Sequence, residues 1–385
     1  MKQVRLGAVF MRGGTSKAIM FHRRDLPEDR EQWAPLFLAA IGSPDPNGRQ
    51  LDGMGGGVSS LSKVCVIGPP SRSDADVDFT FAQVSVREDT VDYRGTCGNM
   101  TSAVGPFAVD EGLVAVSGDE ATVRIHNTNT SKIIVSRFPV DDGVAAVDGE
   151  CVVPGVAGAG APVRLEFTDP GGAATGALLP TGNPLDVLDV PGAGRVEASL
   201  VDAGNACVFV DAAAMGASGC ELPDALESKP GLLEALEAIR CAASVAMGMA
   251  ATPGEAARIP SVPKIALLAA PAEAPTLSGE PVAADDMDIV VRMISMGQPH
   301  RAVPLTGALC VAVAARLDGS VAHRLARRPG EPGDDIRVAH PSGLTTVAAT
   351  VRGGVAENAV VYRTARRLME GTLLVPASRL PAAIR

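Results

Sequence analysis

Short apolar runs separated by Gly- and Pro-containing turns dominate this chain, a pattern typical of β-strands. Residues 4–10 are uncharged except for Arg5, and residues 64–67 form a continuous apolar run, so both favour buried strands. Residues 76–88 alternate between apolar and polar positions and then change phase, so we predict a strand with a bulge near Gln83. The same criteria predict strands at residues 122–127, 132–138, 163–167, 196–201, 207–210, 264–269, 288–296, 345–351, 360–367 and 372–376.

Four segments have helical patterns. Asp25 is predicted to cap a helix that buries Trp33 and ends at Gly42, and residues 231–249 form an amphipathic helix. The remaining two segments carry no charge over most of their length, so they are predicted to be buried on all sides. They are residues 97–109, in which Pro106 is expected to kink or shorten the helix, and residues 308–317.

Each uncharged helix follows a polar turn, and one lies in each half of the chain. This repetition predicts an α+β fold with two pseudo-symmetric domains, each a mostly antiparallel, barrel-like sheet wrapped around a central buried helix. The segment Thr181–Pro184 resembles a linker. We therefore expect domains at residues 1–184 and 185–369, with the last strand (370–385) crossing back to the first domain.

Charge and composition restrict the function. The 385 residues carry a net charge of -10, which argues against nucleic acids and anionic membranes as partners. The chain contains no signal-peptide pattern and no apolar run long enough to span a bilayer, so a cytoplasmic location is expected. The seven cysteines are scattered without a CxxC pair, which favours reduced thiols and no metal site. The oligomeric state does not follow from the sequence; a homodimer is one expectation.

Cys97 is the first candidate for chemistry. It precedes Gly98 and Asn99, and a helix beginning there directs unpaired backbone N–H groups toward the thiol. These donors and the helix dipole stabilise an anion, either a substrate carboxylate or the thiolate itself. A buried cysteine without a chemical role is an equally valid interpretation of this local sequence.

Two further stretches carry polar groups beside glycines. The turn at Gly13-Gly14 is surrounded by donors suited to a carboxylate, although a hairpin turn with solvated charges has the same pattern. The loop 42–63 is long and rich in glycine, and it ends in Lys63 at the start of a strand. A lysine that is partly removed from water there could act as a base, whereas a solvated surface lysine is the simpler alternative. The donors are Arg12, Thr15, Ser16 and Lys17 in the turn, and Ser59 and Ser60 in the loop.

Motifs along nearly the whole chain resemble the PrpF family of unsaturated polycarboxylate isomerases, within the diaminopimelate-epimerase superfold. They are Met11-Arg12-Gly13-Gly14-Thr15-Ser16-Lys17, Gly42-Ser43-Pro44-Asp45, Asp52-Gly53-Met54-Gly55-Gly56, Ser62-Lys63, Cys97-Gly98-Asn99, Ser295-Met296-Gly297 and His340-Pro341-Ser342-Gly343.

The resemblance implies two barrels with the active site between them, no cofactor, and Lys63 and Cys97 as the catalytic lysine and cysteine. A racemase with two cysteines needs a second thiol before the second helix. Thr306 and Gly307 stand there instead, and Cys310 lies deeper in the helix, so amino-acid racemisation is not expected.

The chemistry implied is a 1,3-allylic proton shift on a small di- or tricarboxylate, with Lys63 and Cys97 as the acid/base pair in an unassigned order. Substrate carboxylates are expected at the turns of both halves, through Arg12, Thr15, Ser16, Ser59, Ser60, Gly98, Asn99, Asn205, His300, Thr306 and Gly307. For His300 and Asn205, packing or turn roles are equal alternatives. A 4-oxalomesaconate tautomerase and a non-catalytic acid-binding protein remain as alternative functions.

Overall fold

The computed structural model describes residues 3–93, 96–327, 331 and 333–381, so Arg94 and Gly95 of the predicted turn before Cys97 lie outside the described residues. The helices are α1 (Trp33–Ile41), α2 (Gly98–Asp110), α3 (Pro223–Glu227), α4 (Leu232–Ala246), α5 (Pro253–Ala257), α6 (Leu305–Ala314) and α7 (Val321–Leu325). Among the described residues, no helix combines the length and the apolar character that crossing a membrane requires.

Strands make up most of the remaining regular secondary structure. They are β1 (Gln3–Gly13), β2 (Ser16–His22), β3 (Lys63–Gly68), β4 (Val77–Val84), β5 (Val91–Asp92), β6 (Glu120–Asn127), β7 (Lys132–Asp141), β8 (Val144–Ala145), β9 (Cys151–Val152), β10 (Ala159–Gly160), β11 (Val163–Thr168), β12 (Asp186–Val190), β13 (Gly194–Asp202), β14 (Ala206–Asp211), β15 (Lys264–Ala269), β16 (Ile289–Ser295), β17 (Gln298–Pro299), β18 (Asp335–His340), β19 (Gly343–Arg352), β20 (Val355–Arg363) and β21 (Ala365–Pro376).

The chain divides into two compact units, one running to Leu165 and resuming at Tyr362, the other covering Glu166–Val361. The second unit begins at Glu166, before the domain boundary expected after Pro184. The expected boundary stays a prediction. The terminal strand β21 belongs to the first unit, where it pairs with β1 in antiparallel register from Gln3↔Pro376 onward.

The first unit is a sheet in the order β21-β1-β2-β3-β4-β6-β7, in which only β2–β3 and β4–β6 of these neighbouring pairs are parallel. Alternation of side chains along the strands gives the sheet two faces. One face packs against α1 through residues such as Phe21, Val64 and Val66. The opposite face surrounds α2, which contacts β1, β2, β3, β6, β7 and β21.

The second unit repeats this arrangement in the order β12-β13-β14-β15-β16-β18-β19-β20, with β14–β15 and β16–β18 parallel. The helix α4 covers one face of this sheet, and α6 packs against β13, β14 and β19. Both central helices are buried along nearly their whole length. The predicted α+β architecture, with one buried helix wrapped by strands in each half, is confirmed.

Several local predictions are wrong. Asp25 caps no α-helix, because two 3-10 turns precede α1 and Asp29 caps the second of them. Strand β4 ends at Val84 and pairs with β3 without a bulge, since Gln83 lies opposite Lys63 in regular register. Helix α2 continues through Pro106 to Asp110, so Pro106 does not shorten it. The segment 360–367 is two strands, separated at Thr364.

Candidate active site

Cys97 is the N-cap residue of α2, with an extended backbone that places it just outside the helix. Its carbonyl oxygen accepts hydrogen bonds from the backbone N–H (2.9 Å) and the hydroxyl (3.0 Å) of Thr101. The backbone N–H groups of Gly98 and Asn99 belong to the first helical turn, where no intrahelical acceptor exists. The half-buried thiol therefore lies at the positive end of a helix, as the sequence predicts.

The turn between β1 and β2 presses directly against this helix start. A Cβ atom at Gly13 would lie 2.5 Å from the carbonyl oxygen of Asn99, and one at Gly14 would lie 2.3 Å from Oδ1 of Asn99. Gly14 also has a φ of +49°, a region that side chains disfavour. Both glycines are therefore needed for the close approach, which brings the Ser16 hydroxyl to 4.0 Å from Cys97 Sγ.

Lys63 opens β3 and is almost fully buried, with 7% of its surface exposed. Its ammonium group donates to Oε1 of Gln83 at 2.5 Å and lies 5.1 Å from the centre of the Phe81 ring. The Gln83 side chain in turn donates to the carbonyl oxygens of Ser59 (3.0 Å) and Ser62 (2.9 Å). A neutral amide thus holds this lysine, so its charge remains available to an anionic ligand.

The register of the strands brings Lys63 and Cys97 to the same region. Lys63 lies beside Ala18 in the parallel β2–β3 pair, and Ser16, two residues before Ala18, points to the same face and contacts Cys97. Cys65 lies on that face as well. Burial raises the pKa of the Cys65 thiol, nearby Cys97 raises it further, and the Lys63 charge opposes this rise. Thiol and amine are therefore neighbours of one buried cysteine.

The loop before Lys63 is folded tightly around a buried glutamine, Gln50. Its amide donates to the Ser43 hydroxyl and accepts from the Gly57 N–H and the Ser62 hydroxyl, at 2.8–2.9 Å. This fixes Ser62, the residue immediately before Lys63. At the loop surface, Ser59 is exposed and Ser60 is half-buried in a 3-10 turn; through its carbonyl, Ser59 anchors the partner of Lys63.

Two arginines approach the Gly13-Gly14 turn. Arg12 donates to the carbonyl of Gly14 and to the carbonyl and hydroxyl of Thr364, at 2.9–3.1 Å. Burial, and then the nearby Arg366, lowers its pKa. Arg363 is only 7% exposed and donates to Asn99 Oδ1 at 3.2 Å. Burial lowers its pKa to about 10. Both side chains hold the turn through polar groups.

The predicted residues of the second unit lie around the start of α6. The Asn205 amide is 3.4 Å from the Thr306 hydroxyl, and Gly307 is buried against Met293. Nε2 of His300 is buried without a hydrogen-bond partner among the described residues. Burial lowers the pKa of His300, and Lys264 lowers it further. Asn205 and Thr306 are thus in contact, and His300 lies shortly before α6 in the chain.

The turns that carry Thr15 and Asn205 have matching positions in the repeat. Thr15 in the turn accepts from Asn99 on α2 at 3.0 Å, whereas Asn205 in the equivalent turn donates to Thr306 on α6. Lys264 opens β15 as Lys63 opens β3. Cys310 is fully buried inside α6, and burial raises the pKa of its thiol. The thiol at the start of α2 therefore has no equivalent at the start of α6.

Sequence reasoning missed Gln83, Cys65, Lys264 and Arg363. Gln83 could have been found, because it follows Val77, Phe79 and Phe81 on the inward face of β4. A polar residue that continues a buried face suggests a specific partner. Arg363 carried no comparable signal, since only the folding of β21 onto β1 places it beside the first turn.

The model of the family described as PrpF protein matches residues 3–376. The chain belongs to the PrpF family. Among curated relatives, 3-methylitaconate isomerase of Eubacterium barkeri is 42% identical over 98% of this chain and 99% of its own. The 2-methyl-aconitate isomerase of Shewanella oneidensis is 40% identical (97% and 98% covered), and 4-oxalomesaconate tautomerase of Pseudomonas putida is 38% identical (97% and 97%).

Solved structures agree with this family. A crystal structure of methylitaconate-delta-isomerase superposes with a TM-score of 0.94 at 42% identity, covering 99% of this chain and 98% of the other. A hydroxyproline epimerase from Agrobacterium vitis matches with a TM-score of 0.50 at 14% identity, covering 99% and 98%, which is a likeness of fold alone. The predicted resemblance to the PrpF family and to the epimerase-like fold is confirmed.

Proposed function

We propose that this PrpF-family isomerase catalyses a cofactor-free 1,3-allylic proton shift on a small unsaturated di- or tricarboxylate, such as 2-methylaconitate, methylitaconate or aconitate. The observation that carries the proposal is the placement of Lys63 and Cys97 around Cys65, at the end of the sheet where α2 begins. An amine and a thiol there provide one base and one acid.

In the proposed reaction, one of the two groups removes a proton from a carbon that is allylic to the double bond and is acidified by the neighbouring carboxylate. The electron pair left behind spreads over three carbons and the carboxylate. The other group then delivers a proton to the far allylic carbon. The double bond moves, and the product has the same composition as the substrate. Rotation within the delocalised anion converts cis to trans. The start of α2 and the Lys63 ammonium stabilise this negative charge.

Recognition of the carboxylates is proposed for the polar turns. In the first unit, Arg12, Thr15, Ser16, Gly98 and Asn99 offer hydroxyl, amide or guanidinium donors, with Ser59 and Ser60 in the adjoining loop. Asn205, His300, Thr306 and Gly307 are proposed to hold a further carboxylate. Ser16, Gly98 and Gly307 are buried, and buried donors bind carboxylates more strongly than donors in water do.

The decisive experiment follows deuterium uptake by NMR, in deuterium oxide, from a panel of unsaturated di- and tricarboxylates. The wild type is expected to label at least one acid at its allylic carbons. Cys97→Ala and Lys63→Met should each lower turnover by about two orders of magnitude or more. Cys220→Ala and Lys132→Met are matched controls with unchanged rates: Cys220 is likewise half-buried, and Lys132 likewise opens a strand. Wild-type rates in both site variants would discard the assignment.

The 38% identity to a 4-oxalomesaconate tautomerase supports a second candidate substrate. Keto–enol tautomerisation of oxalomesaconate changes its ultraviolet absorbance, which a spectrophotometer follows directly. Turnover of oxalomesaconate without deuterium labelling of 2-methylaconitate, methylitaconate or aconitate would replace the first substrate proposal. If the protein binds these acids but labels none, it is a binding protein.

A further inference from the structure

We infer that Arg363 is a positioning residue that turns the Thr15 hydroxyl into a committed hydrogen-bond donor for a substrate carboxylate. The inference deepens the proposed function and rests on it. Its basis is a chain of three side chains: Arg363 Nε donates to Asn99 Oδ1 at 3.2 Å, and Asn99 Nδ2 donates to Thr15 Oγ1 at 3.0 Å. All three lie within the first unit.

The donor-to-acceptor direction of these hydrogen bonds follows from the chemistry of Arg363. A guanidinium group has only donors, so the amide of Asn99 has to present its oxygen to Arg363. The nitrogen of the same amide then faces Thr15, whose oxygen becomes an acceptor. The Thr15 hydroxyl has one proton, and that proton can no longer serve Asn99. It is therefore directed away from the chain, where an incoming anion is its natural partner.

The surroundings of Arg363 support this role. Its side chain is 7% exposed, yet within the part of the chain that the structure describes it forms no ion pair with a carboxylate. Buried arginines usually have an acidic partner, because desolvating an uncompensated charge is costly. Here the interactions are with Asn99 and with the carbonyl oxygen of Tyr362, at 2.8 Å. The positive charge thus polarises the amide and, through it, the Thr15 hydroxyl.

The turn is also shaped for this chain of hydrogen bonds. At Gly14, a Cβ atom would lie 2.3 Å from Asn99 Oδ1 and 3.2 Å from Cδ of Arg363. Any side chain at that position would displace the amide or the arginine. Thr15 is exposed and precedes Ser16, the residue in contact with Cys97. The polarised hydroxyl is therefore placed on the turn that borders the candidate catalytic thiol.

A double-mutant cycle tests the inference. Arg363→Met and Thr15→Val are each expected to raise KM about tenfold with a smaller change in kcat, since they remove a charge-assisted contact to bound substrate. The KM of the double variant should be no higher than that of Thr15→Val, because both changes remove the same contact. Thr15→Ser and Arg363→Lys should restore part of the affinity. Arg5→Met, which removes an exposed arginine of the same unit, is the control with wild-type constants.

The same cycle is measured by calorimetry with tricarballylate, a saturated tricarboxylate that needs no turnover. Non-additive losses of binding without any turnover would refute the isomerase proposal and support the hydrogen-bond relay from Arg363 through Asn99 to Thr15. Turnover with additive losses, or an unchanged KM in Arg363→Met, would refute the relay alone. No binding and no turnover by the wild type would overturn both. If Arg363→Met does not fold, Asn99→Ala interrupts the relay one step later, and its cycle with Thr15→Val decides.

Discussion

The substitution Gly13→Ala tests whether the fit between the first turn and the start of α2 controls catalysis. The new Cβ would lie 2.5 Å from the Asn99 carbonyl oxygen and 3.1 Å from Cα of Met100. Carbon–oxygen contacts in proteins are about 3.3 Å or longer, so the two segments have to separate by about 0.8 Å. Both atoms belong to backbone, and the pairing of β1 with β2 and β21 resists movement of the turn. The displacement therefore falls on the helix start that carries Cys97.

Two measurable consequences follow. Overpacking of this kind destabilises a protein by about 1–3 kcal/mol, and each kcal/mol lowers the melting temperature by about 2–4 °C in a unit of this size. A misplacement of about 1 Å in a catalytic group lowers turnover by about 10²-fold. We expect both effects in Gly13→Ala, measured by scanning calorimetry and by deuterium incorporation into the substrate that the wild type converts.

Gly254→Ala is the matched control, because the nearest atom to its Cβ is Thr252 Oγ1 at 4.0 Å. Since alanine is the better helix former, the control should keep its activity and its stability or gain slightly. A Gly13→Ala variant with the turnover and melting temperature of the wild type would show that the close contact does not determine the position of Cys97.

Three further predictions concern the loop before Lys63, the loss of stability at acidic pH, and the glutamine that binds Lys63. Gln50→Leu removes the amide that three hydrogen bonds share, so it should lower the free energy of unfolding, measured in urea, by about 2–4 kcal/mol. It should also lower turnover, because Gln50 fixes Ser62, the residue before Lys63. An unchanged urea midpoint would contradict this. Burial raises the pKa of Glu221, but hydrogen bonds from Ser218 and Lys229 outweigh burial and lower it to about 2. The folded pKa lies below the unfolded one, so Glu221→Gln should lose about 1 kcal/mol at neutral pH, a difference that disappears as pH falls from about 4.5 to 2; a constant difference across that range would exclude the linkage. Gln83→Met should lower turnover at least tenfold, as it removes the acceptor that orients the Lys63 ammonium; equal rates for variant and wild type would exclude an orienting role.

The pattern of apolar runs determined much of the fold in advance. Strand β15 has the predicted bounds, and both uncharged segments are the buried central helices. These features are local, because a continuous apolar run has to be buried whatever surrounds it. Errors arose where tertiary contacts decide. Gln83 disturbs the alternation of β4, but its polar side chain is there to hold Lys63, so the apparent phase change indicates a partner and not a bulge.

For the site, the sequence alone located Cys97 at a helix start and Lys63 at a strand start, since both positions follow from local chain chemistry. Their common neighbourhood around Cys65 required the parallel pairing of β2 with β3, which joins segments distant in sequence. The buried Arg363 depended on the last strand returning to β1. Periodicity records which side of an element is buried, whereas only the folded chain decides which buried groups meet.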